Sequence, residues 1–289
     1  MTPTLNFEAS GNPGSRERPV VFVHGAFVTE QMGRFALPAG VLRRHRCVSV
    51  GLPGHPGAPP AAWPDGSAEG LAALLASTLD AAGVGPGAAV VGHSLGGLAA
   101  LCLACREPGR VAGVASVAGT AGGLFRGGEH ATFLQRVAVA SAASPTAFRL
   151  GVRLGSCSPA LHRWAAGLAA GEARALRRSP GFRAASAAYL PRLWNARTEP
   201  MRHALRALAG LDLRDRLPGL RVPALFLHGT ADPVFPAEPA AAAAAGCPAA
   251  RFVALPGVGH LPMFEAPGAY AGALDAWLGS LGPAPARPV

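Results

Sequence analysis

Short runs of apolar, β-branched residues recur along the chain and alternate with stretches of helical periodicity. Pro19-Val20-Val21-Phe22-Val23 ends abruptly in His24-Gly25, as a buried parallel strand would. Cys47 to Val50 is a second run, closed by the turn cluster Gly51-Leu52-Pro53-Gly54-His55. Leu71, Leu74, Leu75 and Leu79 recur at helical spacing, so 71–82 is predicted helical. The pattern then predicts a strand over 88–92, a helix over 95–105 and a strand over 111–117. Further strands follow at 222–227 and 251–255, with an alanine-rich helix near 237–245 between them and a terminal helix over 268–281. Strands alternating with helices imply an α/β fold with a mostly parallel sheet covered on both faces.

One interval breaks the alternation. From Gly122 to Leu217 only helical patches (132–143, 160–169, 171–178) and many arginines occur, without a convincing strand. A long insertion after a strand of an α/β sheet tends to lie over the carboxyl ends of the strands, where ligands bind. The chain is therefore read as a core over 1–121 and 218–289 with a helical cap over 122–217. Only residues 4–8 precede the first clear strand as a candidate edge, so a reduced first edge is expected.

Half of the 289 residues are hydrophobic and 15% are charged, which excludes disorder. The net charge of +10 alone points to nucleic acid, a membrane surface or an acidic partner. The chain contains no lysine and no isoleucine, however, and is rich in Ala, Gly, Pro and Arg. A compositional bias toward arginine explains the charge without an anionic partner, and no basic cluster coincides with a nucleic-acid motif. An anionic substrate group or an acidic carrier protein remains a secondary possibility because of the arginines between 122 and 217. The longest uncharged stretch, 84–105, is broken by five glycines, a proline, His93 and Ser94, so no membrane span is predicted. Residues 1–15 lack the basic and apolar regions of a secretory signal. Five scattered cysteines do not form a disulfide framework, and Cys102 with Cys105 lacks a second ligand pair for a metal. A cytoplasmic protein without a metal or organic cofactor is expected.

The chemistry concentrates at Gly92-His93-Ser94-Leu95-Gly96, a G-x-S-x-G between a predicted strand and a predicted helix. A turn tight enough to expose the serine hydroxyl leaves no room for side chains two residues either side, which is the use of Gly92 and Gly96. The N–H of Leu95, at the helix start, then points toward a developing oxyanion.

With that motif in context, the chain resembles the α/β-hydrolase superfamily over nearly its whole length. His24-Gly25-Ala26-Phe27 looks like the oxyanion loop, which implies a second donor at the Ala26 N–H and places Phe27 near the pocket. Leu227-His228-Gly229-Thr230-Ala231-Asp232-Pro233-Val234 matches the turn that carries the acid, Asp232. Pro256-Gly257-Val258-Gly259-His260, followed by Glu265 and Pro267, matches the loop that carries the base, His260. The order serine, aspartate, histidine is that of this fold. The resemblance implies a Ser94, Asp232, His260 triad acting through an acyl-enzyme. His93, Trp164 and Trp194 are further candidates for the pocket.

The segment 51–58 departs from the family's D-x-x-G-x-G-x-S pattern, with Gly51, Pro56 and Ala58 at the aspartate, second glycine and serine positions. Three functions remain open on the residues alone. The first is a serine hydrolase of a carboxylic ester or lactone of a small, fairly apolar molecule. The second is a C–C bond hydrolase or a non-hydrolytic cyclase or lyase using the same site. The third is a non-catalytic small-molecule receptor. The serine at the elbow disfavours aspartate-dependent dehalogenase and epoxide hydrolase chemistry, and the missing lysine excludes a lysine-dependent hydroxynitrile lyase mechanism.

Overall fold

The computed structural model describes residues 3–58, 63, 65–122 and 132–283. Seven strands, β1 (Phe7–Gly11), β2 (Val20–Val23), β3 (Arg46–Val50), β4 (Ala88–His93), β5 (Val111–Val117), β6 (Ala224–Gly229) and β7 (Ala250–Leu255), form one sheet in the order β1-β3-β2-β4-β5-β6-β7. Every pairing is parallel except β1 with β3.

Continuous apolar runs mark the central strands because both faces of the sheet are covered. In β2, Val21 and Val23 enter the core on one face while Val20 and Phe22 enter the core on the other. The first core is filled by Leu71, Leu75 and Leu79 of α3 (Ala68–Ala81) and by Leu98 and Leu101 of α4 (Leu95–Arg106), with Ala240 and Ala244 of α11 (Ala237–Ala245). The second is filled from the short helices α1 (Gly33–Ala36) and α2 (Ala39–Arg44), and by Leu274 and Trp277 of α13 (Pro267–Ser280).

The first edge is not reduced. β1 lies three residues beyond the expected position and pairs antiparallel with the whole of β3. Its alternating half-buried and exposed pattern, with two small residues and a glycine, hides it from a reading based on apolar runs. In the altered loop 51–58, a Cβ at Gly51 would lie 2.7 Å from Asn6 Oδ1, so the Asn6 side chain would have to shift to admit a larger residue. Two turns then follow, closed by His55 N–H to Leu52 O and Ala58 N–H to His55 O, with Gly54 and Gly57 at positive φ.

Between β5 and β6 the described residues contain six α-helices, two single-turn 3-10 helices and no strand: the α-helices are α5 (Phe133–Ala143), α6 (Pro145–Ser156), α7 (Pro159–Ala166), α8 (Ala173–Arg178), α9 (Pro180–Trp194) and α10 (Thr198–Gly210). Three match the expected patches, and α5 opens with a capping box in which Thr132 and Gln135 satisfy each other's backbone N–H. The ends of this stretch meet at its base, where Gly122 bridges Asp212 and Leu213 N–H donates to Ala121 O at 2.8 Å. No helix among the described residues is long and apolar enough to cross a membrane. The short helix α12 (Pro262–Glu265) follows β7 and precedes α13.

Candidate active site

β4 ends at His93 and α4 begins at Leu95, so Ser94 alone makes the turn, at φ 57° and ψ −125°. This is sparsely populated backbone for a residue with a Cβ, and the surroundings hold it there. Ser94 N–H donates to Val117 O and Gly97 N–H to Ser94 O, both at 2.9 Å. A Cβ on Gly92 would overlap the Gly96 carbonyl, and one on Gly96 would overlap the carbonyls of Val23 and His24. The two glycines therefore let the elbow seat against its own helix and the end of β2.

The loops after β6 and β7 bring Asp232 and His260 to this turn. The Ser94 hydroxyl lies 3.0 Å from His260 Nε2, and His260 Nδ1 lies 2.8 Å from Asp232 Oδ2. Facing a carboxylate, Nδ1 carries the ring proton, which leaves Nε2 as the acceptor of the serine proton. The Asp232 side chain is fully buried. Its Oδ1 accepts N–H bonds from Val234 (2.8 Å) and Phe235 (3.0 Å). Burial pushes this carboxyl up, but the charge of His260 and the hydrogen bonds from His228, His260 and the Phe235 N–H outweigh it, and Asp232 stays ionised, below the usual carboxylate range.

The histidine loop is held by contacts that the sequence reading did not assign. Glu265 Oε2 accepts N–H bonds from Gly259 (3.0 Å) and Gly171 (2.8 Å), and its Oε1 accepts from Leu261 (2.9 Å). His260 N–H donates to Ala169 O at 2.8 Å. Residues 169–171 thus tie the helices after β5 to the chain on both sides of His260. Glu265 stood within the sequence motif, but nothing in the spacing showed which backbone groups it would meet.

Three further buried histidines, His24, His55 and His93, are neutral and structural. Leu52 N–H donates to His24 Nε2 at 3.1 Å, and His24 Nδ1 donates to Gly25 O at 2.6 Å, which fixes the loop carrying Ala26 against the end of β3. His93 Nε2 donates to His260 O at 2.9 Å. Burial pulls His24 down to about 4 and His55 and His93 to about 3. In the unfolded chain each titrates near 6.5. Below that pH the unfolded state binds more protons, so stability is complete above about 6.5 and is lost as pH falls toward the folded values. Urea unfolding at pH 7 and pH 5 is expected to show a lower midpoint at pH 5, each histidine contributing up to about 1.4 kcal/mol per pH unit.

A cavity of about 570 Å³ opens between the carboxyl ends of the strands and the helices after β5. Ala26, Phe27, His93, Ser94, Leu95 and His260 face it from the sheet side. The N–H groups of Ala26 and Leu95 have no backbone acceptor among the described residues. From the helical side come apolar residues, among them Phe148, Val152, Phe182 and Leu193, together with the polar pair His162 and Tyr189. Among the described residues that line it there is neither an arginine nor a carboxylate, so none of them offers a counter-charge to the anionic substrate group that the arginines had left as a secondary reading. Trp164 and Trp194 do not line the cavity. They are 57% and 43% exposed, and Trp194 stacks under Arg153 instead. No group of three or more His, Cys, Asp or Glu able to hold a metal is found among the described residues.

A strained serine between strand and helix, joined to a buried aspartate and a histidine from the ends of β6 and β7, defines a class of protein. A model of the alpha/beta hydrolase family matches residues 20–273, and the chain belongs to that family. It is an α/β-fold hydrolase. Among curated proteins it is 32% identical over 243 residues to a pimeloyl-[acyl-carrier protein] methyl ester esterase of Aromatoleum aromaticum, covering 80% of this chain and 85% of that protein. Among solved structures, an esterase from Rhodococcus sp. ECU1013 is 26% identical with a TM-score of 0.72, covering 96% of this chain and 94% of that one. The enol-lactonase of Burkholderia xenovorans LB400 shares the fold with a TM-score of 0.73 at 22% identity, covering 95% and 96%.

Proposed function

We propose that the chain is a serine hydrolase that cleaves a carboxylic ester or lactone of a small, largely apolar, uncharged molecule. The observation that carries this reading is the unbroken relay from Ser94 through His260 to Asp232 at the wall of an apolar cavity. The curated relative and the solved neighbour at 26% identity are both named as esterases, which favours ester hydrolysis over C–C cleavage, cyclisation or ligand binding without turnover. The helices over 122–217 serve as a cap, and the cavity they share with the core over 1–121 and 218–289 holds the substrate.

Ser94 attacks the ester carbonyl while His260 Nε2 takes its proton, and Asp232 stabilises the imidazolium and keeps it oriented. The oxygen of the tetrahedral intermediate is received by the N–H groups of Ala26 and Leu95, each donor being worth roughly 3 to 4 kcal/mol in measured cases. His260 gives the proton to the leaving alkoxide, and the alcohol departs from an acyl-enzyme on Ser94. Water, deprotonated by the same histidine, releases the acid. Phe27, at φ 59°, holds a turn immediately after Ala26 and packs 6.0 Å from the Phe148 ring, so the oxyanion loop and the cap share one contact.

Turnover of a simple ester in oxygen-18 water is expected to place one label in the released acid. Consumption of substrate without label in any product would favour the lyase or cyclase reading.

A further inference from the structure

Most of the cavity is apolar, and the polar side chains on its sheet side, His93, Ser94 and His260, belong to the relay or its support. On the helical side Ser141 gives its hydroxyl proton to Ala138 O, and the Gln135 carbonyl is used in the capping box. His162 and Tyr189 are different. They come from separate helices, α7 and α9, and meet at 2.6 Å between His162 Nε2 and the Tyr189 hydroxyl. His162 Nδ1 lies 2.9 Å from Gly155 O at the end of α6.

The direction of these bonds follows from the inventory of donors. A carbonyl only accepts, so His162 Nδ1 carries the proton. Burial lowers the His162 pKa, which keeps the ring neutral at pH 7, and Nε2 is then an acceptor. The phenol must supply the proton between them. Burial pushes Tyr189 upward as well, so its O–H is retained. The neighbouring Ser186 gives its own proton to Phe182 O at 2.7 Å and does not compete for His162. With its proton committed, the Tyr189 oxygen has only lone pairs left to offer. The pair is also fixed in place. Tyr189 is 2% exposed, its ring meets that of His162 edge-on, and His162 stacks on Phe182.

We propose that the Tyr189 oxygen, oriented by His162, is a specificity-determining acceptor that selects substrates carrying a hydrogen-bond donor, a hydroxyl or an amide N–H, away from the ester. This rests on the ester-hydrolase reading above and narrows its substrate class. A substrate oxygen that only accepts would face the lone pairs of Tyr189. A purely apolar chain would offer the remaining lone pair no donor and would forgo the hydrogen bond that a hydroxyl or N–H makes there.

The test uses p-nitrophenyl octanoates that carry a hydroxyl or an oxo group at successive carbons, beside the unsubstituted ester. In the wild type kcat/KM is expected to be about tenfold higher for the best hydroxy ester than for the oxo ester at the same carbon. Tyr189→Phe is expected to erase that preference, bringing the ratio of the hydroxy ester to the oxo ester down to about one. His162→Leu frees the phenol proton and is expected to bring the oxo ester level with the hydroxy ester. No hydroxyl preference in the wild type at any carbon would overturn the proposal. So would a Tyr189→Phe loss equal for all esters, or a His162→Leu enzyme that keeps the original preference. If the wild type hydrolyses none of them, the ester-hydrolase reading fails, and calorimetric binding of the same hydroxy and oxo esters to wild type and Tyr189→Phe decides the acceptor role by the same ratios.

Discussion

Replacing Ser94 by alanine is expected to lower kcat on a simple ester about ten-thousand-fold or more, while the unfolding midpoint stays close to that of the wild type. The size follows from the way a nucleophile and its base act as one unit, so that losing the nucleophile costs nearly as much as losing the relay. The retained fold follows from the elbow itself. Its shape is set by the glycines on either side and by backbone bonds to Val117 and Gly97, none of which involves the hydroxyl. Alanine is tolerated at positive φ elsewhere in this chain, at Ala118 with φ 45°. Steady-state kinetics with purified Ser94→Ala, beside its thermal unfolding curve, separates a lost nucleophile from a lost structure.

Asp232→Asn is expected to lower kcat by about ten-thousand-fold with little change in substrate binding. The side-chain oxygen of asparagine must continue to accept the N–H groups of Val234 and Phe235, because turning the amide would set donors against donors. The amide N–H₂ then faces His260 Nδ1 and donates to it. That forces the ring proton onto Nε2, opposite the Ser94 hydroxyl, where a proton acceptor is required. His260 becomes a donor in the one place where it must be a base. The pH profile is the discriminating readout. A variant limited by the wrong tautomer is expected to recover part of its rate at high pH, where hydroxide can replace the base, whereas a misfolded variant does not.

The elbow was legible from the residues because its cause is local. G-x-S-x-G describes a steric requirement within five residues, and the carbonyls that crowd Gly92 and Gly96 belong to the strand and helix already expected there. Asp232 and His260 were legible through the resemblance, which follows chain order at successive strand ends. The cavity was not. Its walls are single residues such as Phe148, Phe182 and Tyr189 from helices α6 and α9, which the expected patches omit. The periodic signal was present, in Phe182, Ala185, Tyr189 and Leu193, but Pro191 and the interleaved arginines obscured it. Trp164 and Trp194, expected at the pocket, both lie outside the cavity. Which side of a helix meets the substrate depends on how six helices pack together, and no local pattern encodes that.

None of the described arginines lines the cavity, and several form structural pairs. Arg202, for example, is buried against Glu199 and donates to Ala142 O. Specificity inside the cavity therefore rests on shape and on hydrogen bonding. The substrate is correspondingly expected to be neutral where it is enclosed.

Covalent capture tests the central claim most directly. Wild-type enzyme mixed briefly with a p-nitrophenyl ester and quenched in acid is expected to gain the mass of one acyl group. Fragmentation of the peptide between Arg46 and Arg106 is expected to place that group on Ser94. An ester that is turned over with no acyl adduct at any time, or with the adduct on another residue, would contradict a Ser94 acyl-enzyme.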